Sequence, residues 1–313
     1  MNFSINILLP IHGHDKDFGK IIQNFLRINS PDGYRINIFI IENNTKQTYK
    51  SEFEKHCDNS KHNFHYIFVP FTNKSKSLNS VLVRFSDQDF VFFTDDDVYH
   101  DPNLILSYFK SIKEHGQGHF FGGAMDVKYQ KEPEKWLRKY LPTSALGWRY
   151  DPNSSEELKY FFGCNWGAFI SDINKAGEFN VELGPGATSG ASGQETEMQS
   201  RLMRLGVRPV YVDKAVVVHD VPSEKCTYQW ALNRKKRDGI YFGMKDHFLD
   251  VSRDFFGYPI AIMKELLVRL PKYILFKLFY TKKSSAYFIF DFHFRYGKMI
   301  GHRYRRKHLL NNE

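Results

Sequence analysis

The sequence predicts an α/β fold: a mixed, mostly parallel sheet flanked by helices, followed by a helical, aromatic and basic C-terminal extension. Three observations carry that expectation. Apolar strands and amphipathic helices alternate with short links through the first hundred residues, which calls for parallel strands joined by right-handed crossovers. The fourth strand, DFVFFT, runs straight into Asp95–Asp96–Asp97. The charge is also confined to one end. The net is +9, and from Ala261 onward twelve basic residues face three acids, so that stretch holds the whole excess. A neutral body lacks the electrostatic footprint of a nucleic-acid binder, and no nucleic acid is expected as its partner.

The elements follow in order. Residues 3–11, FSINILLPI, form a buried strand, and residues 17–29 a helix on Phe18, Ile21, Ile22, Phe25 and Leu26. PDG turns the chain into YRINIFIIE, the second strand. A polar helix over 46–58 leads to a third strand, FHYIFVP. Residues 75–86 form a helix with Leu78, Val81, Leu82 and Phe85 inward, and 89–94 the fourth strand. Asp101-Pro102 starts a helix to residue 115, and HFFGGAMDV is a further strand. Residues 128–160 are irregular. FFGCNWGAFIS is strand-like, with small residues where a backbone approaches something. VELGPGATSGASGQETE is a mobile loop or lid candidate, residues 195–205 form a helix capped by Gly206, and VRPVYVDKAVVVHDV holds two short strands.

With 313 residues, 42% hydrophobic and 25% charged, the chain is globular and long enough for a sizeable core. Cys57, Cys164 and Cys226 are too few and too scattered for a disulfide framework or a CxxC zinc site, which suits a reducing, cytoplasmic compartment. The N-terminus has no secretory-signal pattern, and no uncharged apolar run reaches the length of about 18 residues that a spanning helix needs.

Three adjacent aspartates at the carboxyl end of an apolar strand repel one another, and each wants water or a cation. Ligands of open α/β sheets bind at that end, and hard oxygen donors suit Mg²⁺ or Mn²⁺. A solvated, helix-capping turn is the alternative. Glu42 ends the second strand before Asn43, Asn44 and Thr45, where its carboxylate can meet a base edge or ribose hydroxyls, or else cap an ordinary loop. Lys74 and Lys76 precede a helix. One is expected on the surface, and Lys76 is assigned to the nucleotide phosphates.

Six segments in this order resemble a family 2 glycosyltransferase of the Rossmann-like GT-A fold, over roughly residues 3–240. INILLPIH resembles the family's opening strand, with Pro10 on the donor side, and IFIIENNT its nucleotide-binding strand end. FVFFTDDDVYHDP resembles the metal-binding DXD segment, and FFGCNWGAFI the acceptor-side segment. GQETEMQSRLMRLG resembles the catalytic-base segment, and AVVVHDVP the strand with a metal-side histidine. The chain departs from the pattern in carrying Glu42 where Asp is usual and Gln194-Glu195 where Glu-Asp is common. The Gln-x-x-Arg-Trp signature of processive synthases is absent, the nearest stretch being QWALNRKKRDG, which argues for transfer of single sugars.

The resemblance implies a nucleotide-binding half at about 1–100, an acceptor-binding half at about 101–240, and an extension at 241–313. It implies inverting transfer from a nucleotide-diphosphate sugar to a glycan or lipid-linked acceptor in polysaccharide biosynthesis. Glu195 is the expected general base, with Glu197 competing for that role or standing at the acceptor. Asp97 and His219 are expected to hold Mn²⁺ or Mg²⁺, Asp95 to contact ribose, and Asp96 to act through water. Arg234 and Arg237 would close on the diphosphate, while Asn165 fixes an acceptor hydroxyl and Trp166 stacks on a sugar ring. A catalytically inactive nucleotide- or sugar-binding domain and a sugar-nucleotide nucleotidyltransferase are the alternatives. Acids at all three stations oppose the first, and PIHGHDKDFGK lacks the glycines the second needs.

In the extension, residues 257–307 mix apolar and aromatic clusters with cations, which suits an element lying on an anionic membrane at its cytoplasmic face. The alternatives are aromatics that complete the core or an oligomer interface, and RNA binding.

Overall fold

The computed structural model describes residues 3–57, 61–155, 157–246 and 253–308. These form two compact units, one of residues 1–128, 147–181 and 194–220, the other of 129–146, 182–193 and 221–313. The second unit is thus gathered from three stretches of chain, and the boundary expected at residue 240 falls inside a helix.

In chain order the first unit contains β1 (Ile5–Ile11), α1 (Phe18–Leu26), β2 (Ile36–Glu42), α2 (Lys50–His56), β3 (Asn63–Phe68), α3 (Lys74–Leu82), β4 (Phe90–Phe93) and β5 (Val98–His100). It continues with α4 (Leu104–His115), β6 (His119–Gly122), β7 (Met125–Tyr129), β8 (Trp166–Phe169), α5 (Ile170–Ala176), α6 (Gln194–Arg204), β9 (Arg208–Tyr211) and β10 (Val217–Val221). The main sheet runs β3-β2-β1-β4-β8-β6-β9. Strands β3, β2, β1 and β4 are parallel, β8 is antiparallel to both neighbours, and β6 and β9 are parallel again. This is the mixed, mostly parallel sheet the sequence predicts.

Every residue of β1 is buried, because helices cover both faces of the sheet. Ile5, Ile7, Leu9 and Ile11 enter one core with Phe18, Ile22, Leu104 and Tyr108, while Leu8 enters the other with Leu78, Val81, Met198 and Leu202. A polar rung crosses these apolar strands. Asn37 donates to Asn6 at 2.9 Å and Asn63 donates to Asn37 at 3.0 Å, in the registers Asn6↔Asn37 and Asn37↔Asn63.

HFFGGAMDV divides into β6 and β7, because a Cβ on Gly123 would stand 1.8 Å from the Ala215 carbonyl oxygen. A second, three-stranded sheet runs β5-β10-β7. Its antiparallel register sets Val217 against His100 and His219 against Val98, so His219 arrives beside the aspartate run. Gly206 ends α6 with φ +83°, as expected of a left-handed cap.

The second unit contains α7 (Tyr228–Lys245), the two-residue strands β11 (Asp254–Phe255) and β12 (Tyr258–Pro259), α8 (Ile260–Phe279) and α9 (Lys282–His308). Helices α7 and α9 approach backbone to backbone. A Cβ on Gly239 or Gly243 would stand 2.1 Å from the carbonyl oxygen of Phe294 or Lys298, and one on Gly297 or Gly301 2.1 or 2.0 Å from that of Lys236 or Ile240. Four glycines at four-residue spacing on two helices remove the side chains that would hold them apart.

Much of the aromatic content of α9 packs inside this unit. Phe290 stacks on Tyr140 at 4.5 Å, Phe292 on Tyr273 at 4.3 Å, and Phe294 meets Phe242 edge-on. The Gly/Ser-rich stretch expected as a lid candidate is tied to the same helices. Leu183 bridges to Ala191, Ser192 Oγ donates to Asp238, and Tyr304 donates to Glu182.

Candidate active site

β4 ends at Phe93, and Thr94 locks the turn that follows. Its hydroxyl meets His100 Nε2 at 2.8 Å, and His100 Nδ1 meets Asn24 at 2.8 Å. Burial pushes the His100 imidazole down to about 3, so it stays neutral. From that turn the three aspartates diverge, each to a partner on a different element. Lys74 Nζ donates to Asp95 at 2.6 Å, Lys16 Nζ donates to Asp96 at 3.3 Å, and His219 Nε2 stands 3.2 Å from Asp97 Oδ2. Burial, with Asp97 and Asp95 alongside, pushes the Asp96 carboxyl up to about 6 against the pull of Lys16.

Asn73 caps α3 by accepting from the Lys76 N–H at 2.9 Å, which makes Lys74 the first helical residue and turns it inward. Its ammonium bridges Asp95 and Glu195, at 2.6 and 3.2 Å. Burial works against that charge, but Asp95 and Glu195 outweigh it and hold Lys74 well above the ordinary lysine range. Lys76 is exposed, with Nζ over the Phe71 ring. Of the two lysines, the one at the acidic cluster is therefore Lys74, while Lys76, expected at the nucleotide phosphates, stands on the exposed side of α3. The Asn-Lys cap pattern was the signal that could have separated them.

Glu195 stands at the start of α6. Oε1 accepts from Lys74 and, at 3.0 Å, from Gln194 Nε2, whose own Oε1 accepts from Ser75 at 2.9 Å. Oε2 has no hydrogen bond among the described residues. Gly163 makes room for this carboxylate, since a Cβ there would lie 2.3 Å from Glu195 Oε1. Glu195, Lys74, Gly163, Pro10 and Thr94 line one pocket with Leu78, Phe93, Trp166 and Phe179. Glu197 points elsewhere. Arg201 grips both its oxygens, at 2.9 and 3.1 Å from Nε, and donates to the carbonyls of Ala176 and Glu178.

Three expected contact residues are turned inward. Glu42 is fully buried and accepts from Asn44, the Thr48 and Tyr49 N–H groups and the Tyr66 hydroxyl. Burial opposes its charge, but these donors, Tyr66 first, hold it below the usual carboxylate range. Asn165 donates to the Ala124 and Ala215 carbonyls and accepts from Tyr108, which staples β8 in place. Trp166 stacks on Phe93 at 4.6 Å, so it is a core residue whose ring does not lie open for a sugar, and its buried indole N–H has no partner among the described residues. Arg234 and Arg237 belong to the second unit, where Arg234 pairs with Asp238 at 3.0 Å and Arg237 donates to the Gly190 carbonyl at 3.1 Å.

In open α/β sheets ligands bind outside the carboxyl ends of the strands, and here acidic residues gather at that edge. Residues 7–174 match the model of Glycosyl transferase family 2, and the chain belongs to that family. No curated protein matches the chain by sequence.

Solved structures share the fold. The mannosyltransferase PcManGT from Pyrobaculum calidifontis, in complex with GDP-Man and Mn²⁺, is similar at TM-score 0.54 and 11% identity, over 99% of this chain and 88% of that one. TarS 1–349 from S. aureus, in complex with UDP-GlcNAc, is similar at 0.52 and 11%, over 99% and 93%. GalNAc-T7 with UDP, GalNAc and Mn²⁺ is similar at 0.55 and 10%, over 78% of this chain, which spans half the length of that protein.

Proposed function

We propose that this glycosyltransferase moves a single sugar, with inversion, from a nucleotide-diphosphate sugar to a hydroxyl of a glycan or lipid-linked acceptor. The carrying observation is that Glu195 shares a pocket with the first unit's strand ends and is tied through Lys74 to Asp95, while Glu197 is engaged by Arg201. The acceptor hydroxyl gives its proton to Glu195 Oε2 as its oxygen attacks the anomeric carbon. The bond from that carbon to the diphosphate oxygen breaks, and the diphosphate leaves with the electron pair. General-base action of this kind contributes about 10²–10⁴-fold. Lys74 and Gln194 hold Oε1, which fixes where Oε2 points.

Asp97 and His219 are the two groups that would hold a divalent cation, although among the described residues no cluster of three or more such ligands forms. Their donor atoms lie 3.2 Å apart, near the roughly 3 Å that separates two adjacent ligands of an octahedral ion of this size. Mn²⁺ or Mg²⁺ held there would offer positive charge to the departing diphosphate.

The test is turnover on a panel of radiolabelled nucleotide sugars with candidate acceptors. Glu195→Gln keeps donor binding and loses about 10²–10⁴-fold in acceptor-dependent nucleotide release, while Glu197→Gln retains it. Normal turnover by Glu195→Gln refutes the base assignment, and tight donor binding without turnover by the unmodified chain refutes transfer itself.

A further inference from the structure

Helix α8 is apolar on two opposite sides. The stripe of Ile262, Leu266, Tyr273 and Phe276 faces α9, with Tyr273 stacked on Phe292 and Phe276 edge-on to Phe288. The opposite side, facing solvent, is also apolar. Val268 is 82% exposed, Phe279 75% and Leu278 69%, and Leu267, Ile274 and Leu275 are exposed with them. At the helical repeat these residues share an arc about 140° wide.

Lys272 stands at one margin of that arc and Lys277 at the other, their ammonium groups over the rings of Phe276 and Tyr273. Lys264 lies within the arc nearer the N-terminal end. The sole acid of α8, Glu265, is turned away onto Arg269 and Arg295. No acid among the described residues pairs with Lys264, Lys272 or Lys277. Just ahead of α8, a tight β11–β12 turn presents Phe255 and Phe256 to solvent.

We propose that this face of α8 docks on an anionic lipid surface, with its aliphatic arc in the acyl boundary and its marginal lysines among the headgroups. Lysine stems that lie along apolar surface with their ammonium groups outward suit that boundary. Charge selects the occupant. A second copy meeting the face through a two-fold axis would bring its lysine margins against these, with no acid to pair them. A nucleic acid would find leucine, valine and isoleucine where stacking rings and phosphate contacts are needed. Among the described residues no helix is long and apolar enough to cross a membrane, so α8 lies along the surface. The inference rests on α8 alone and stands whether or not the sugar-transfer reading does.

The full-length chain is floated with vesicles of phosphatidylglycerol and, separately, phosphatidylcholine, at low and high salt. Binding to phosphatidylglycerol is expected to exceed that to phosphatidylcholine and to fall with salt. Two solvent-face pairs are compared, Leu267→Asp with Leu278→Asp, which removes the apolar arc, and Lys272→Glu with Lys277→Glu, which reverses its margins. Each is expected to reduce flotation about tenfold or more, with circular dichroism unchanged. Equal binding to both vesicle types, no flotation of the unmodified chain, or flotation indifferent to both pairs overturns the proposal. So does a solution dimer that the Leu267→Asp, Leu278→Asp pair dissociates in the absence of vesicle binding.

Discussion

The strand ends of the first unit and the outer face of α8 handle charge in opposite ways. At the strand ends each aspartate has its own partner from a different element, Lys74, Lys16 or His219. On α8 the acid is turned inward and the lysines stand apart at the margins of an apolar arc. Charges brought together under partial burial must be matched one by one, because a stranded partner keeps its desolvation cost. Charges on an open face act nearly independently and are screened by salt. A single substitution should therefore be felt far more strongly in the first region.

The largest expected effect, after loss of the base, is at Asp97. Asp97→Ala should lower turnover about 10²-fold or more and abolish its response to added Mn²⁺. An unchanged metal response would show that the Asp97–His219 pair holds no cation.

Lys74 comes next. Lys74→Met leaves Asp95 and Glu195 without their shared donor and should cost about 1–3 kcal/mol in urea unfolding, with a clear loss of activity. Lys76→Met should change neither. Equal effects of the two would erase the distinction between the buried and the exposed lysine.

Gly243→Ala tests the second unit without touching a charge. The added Cβ meets the Lys298 carbonyl, so destabilisation of about 1–3 kcal/mol is expected. A melting temperature equal to that of the unmodified chain would mean that α7 and α9 separate freely.

The smallest effect is a pH dependence at His100. Its folded pKa is about 3 against an ordinary 6.5, so below pH 6.5 the unfolded chain binds a proton that the folded one refuses. Stability is therefore full above pH 6.5 and is lost as pH falls from there toward 3. His100→Gln should show a smaller drop in urea midpoint between pH 7 and pH 5 than the unmodified chain. An identical drop would show that His100 takes up its proton in place.

Much of the first unit was legible because its signals are local. INILLPI, INIFIIE and FVFF are apolar runs bounded by turn residues, and FVFFTDDD announces a strand end by itself. The separation of Glu195 from Glu197 also follows from helical geometry, since neighbours two apart point in different directions. What escaped depends on partners distant in sequence. Glu42 looks like a ligand contact until Tyr66 and the 48–49 backbone close on it. Asn165 and Trp166 look like an acceptor site until Ala124, Ala215 and Phe93 occupy them. The glycines at 239, 243, 297 and 301 are visible as two spaced pairs, but only their pairing across two helices gives them meaning. The second unit draws on three separate stretches, and no composition shift marks where they join.

The asparagine rung across β1, β2 and β3 carries a consequence for how the chain finds its fold. β1 and β2 are so largely apolar that sliding one past the other by two residues would keep every side chain on its own face and lose little burial. The amides of Asn6, Asn37 and Asn63 satisfy one another in a single alignment. In an alignment slipped between β1 and β2, the buried Asn6 loses its Asn37 partner. The rung thus works less by strengthening the native sheet than by raising the energy of its near-copies, as an index mark does on a scale whose other divisions look alike.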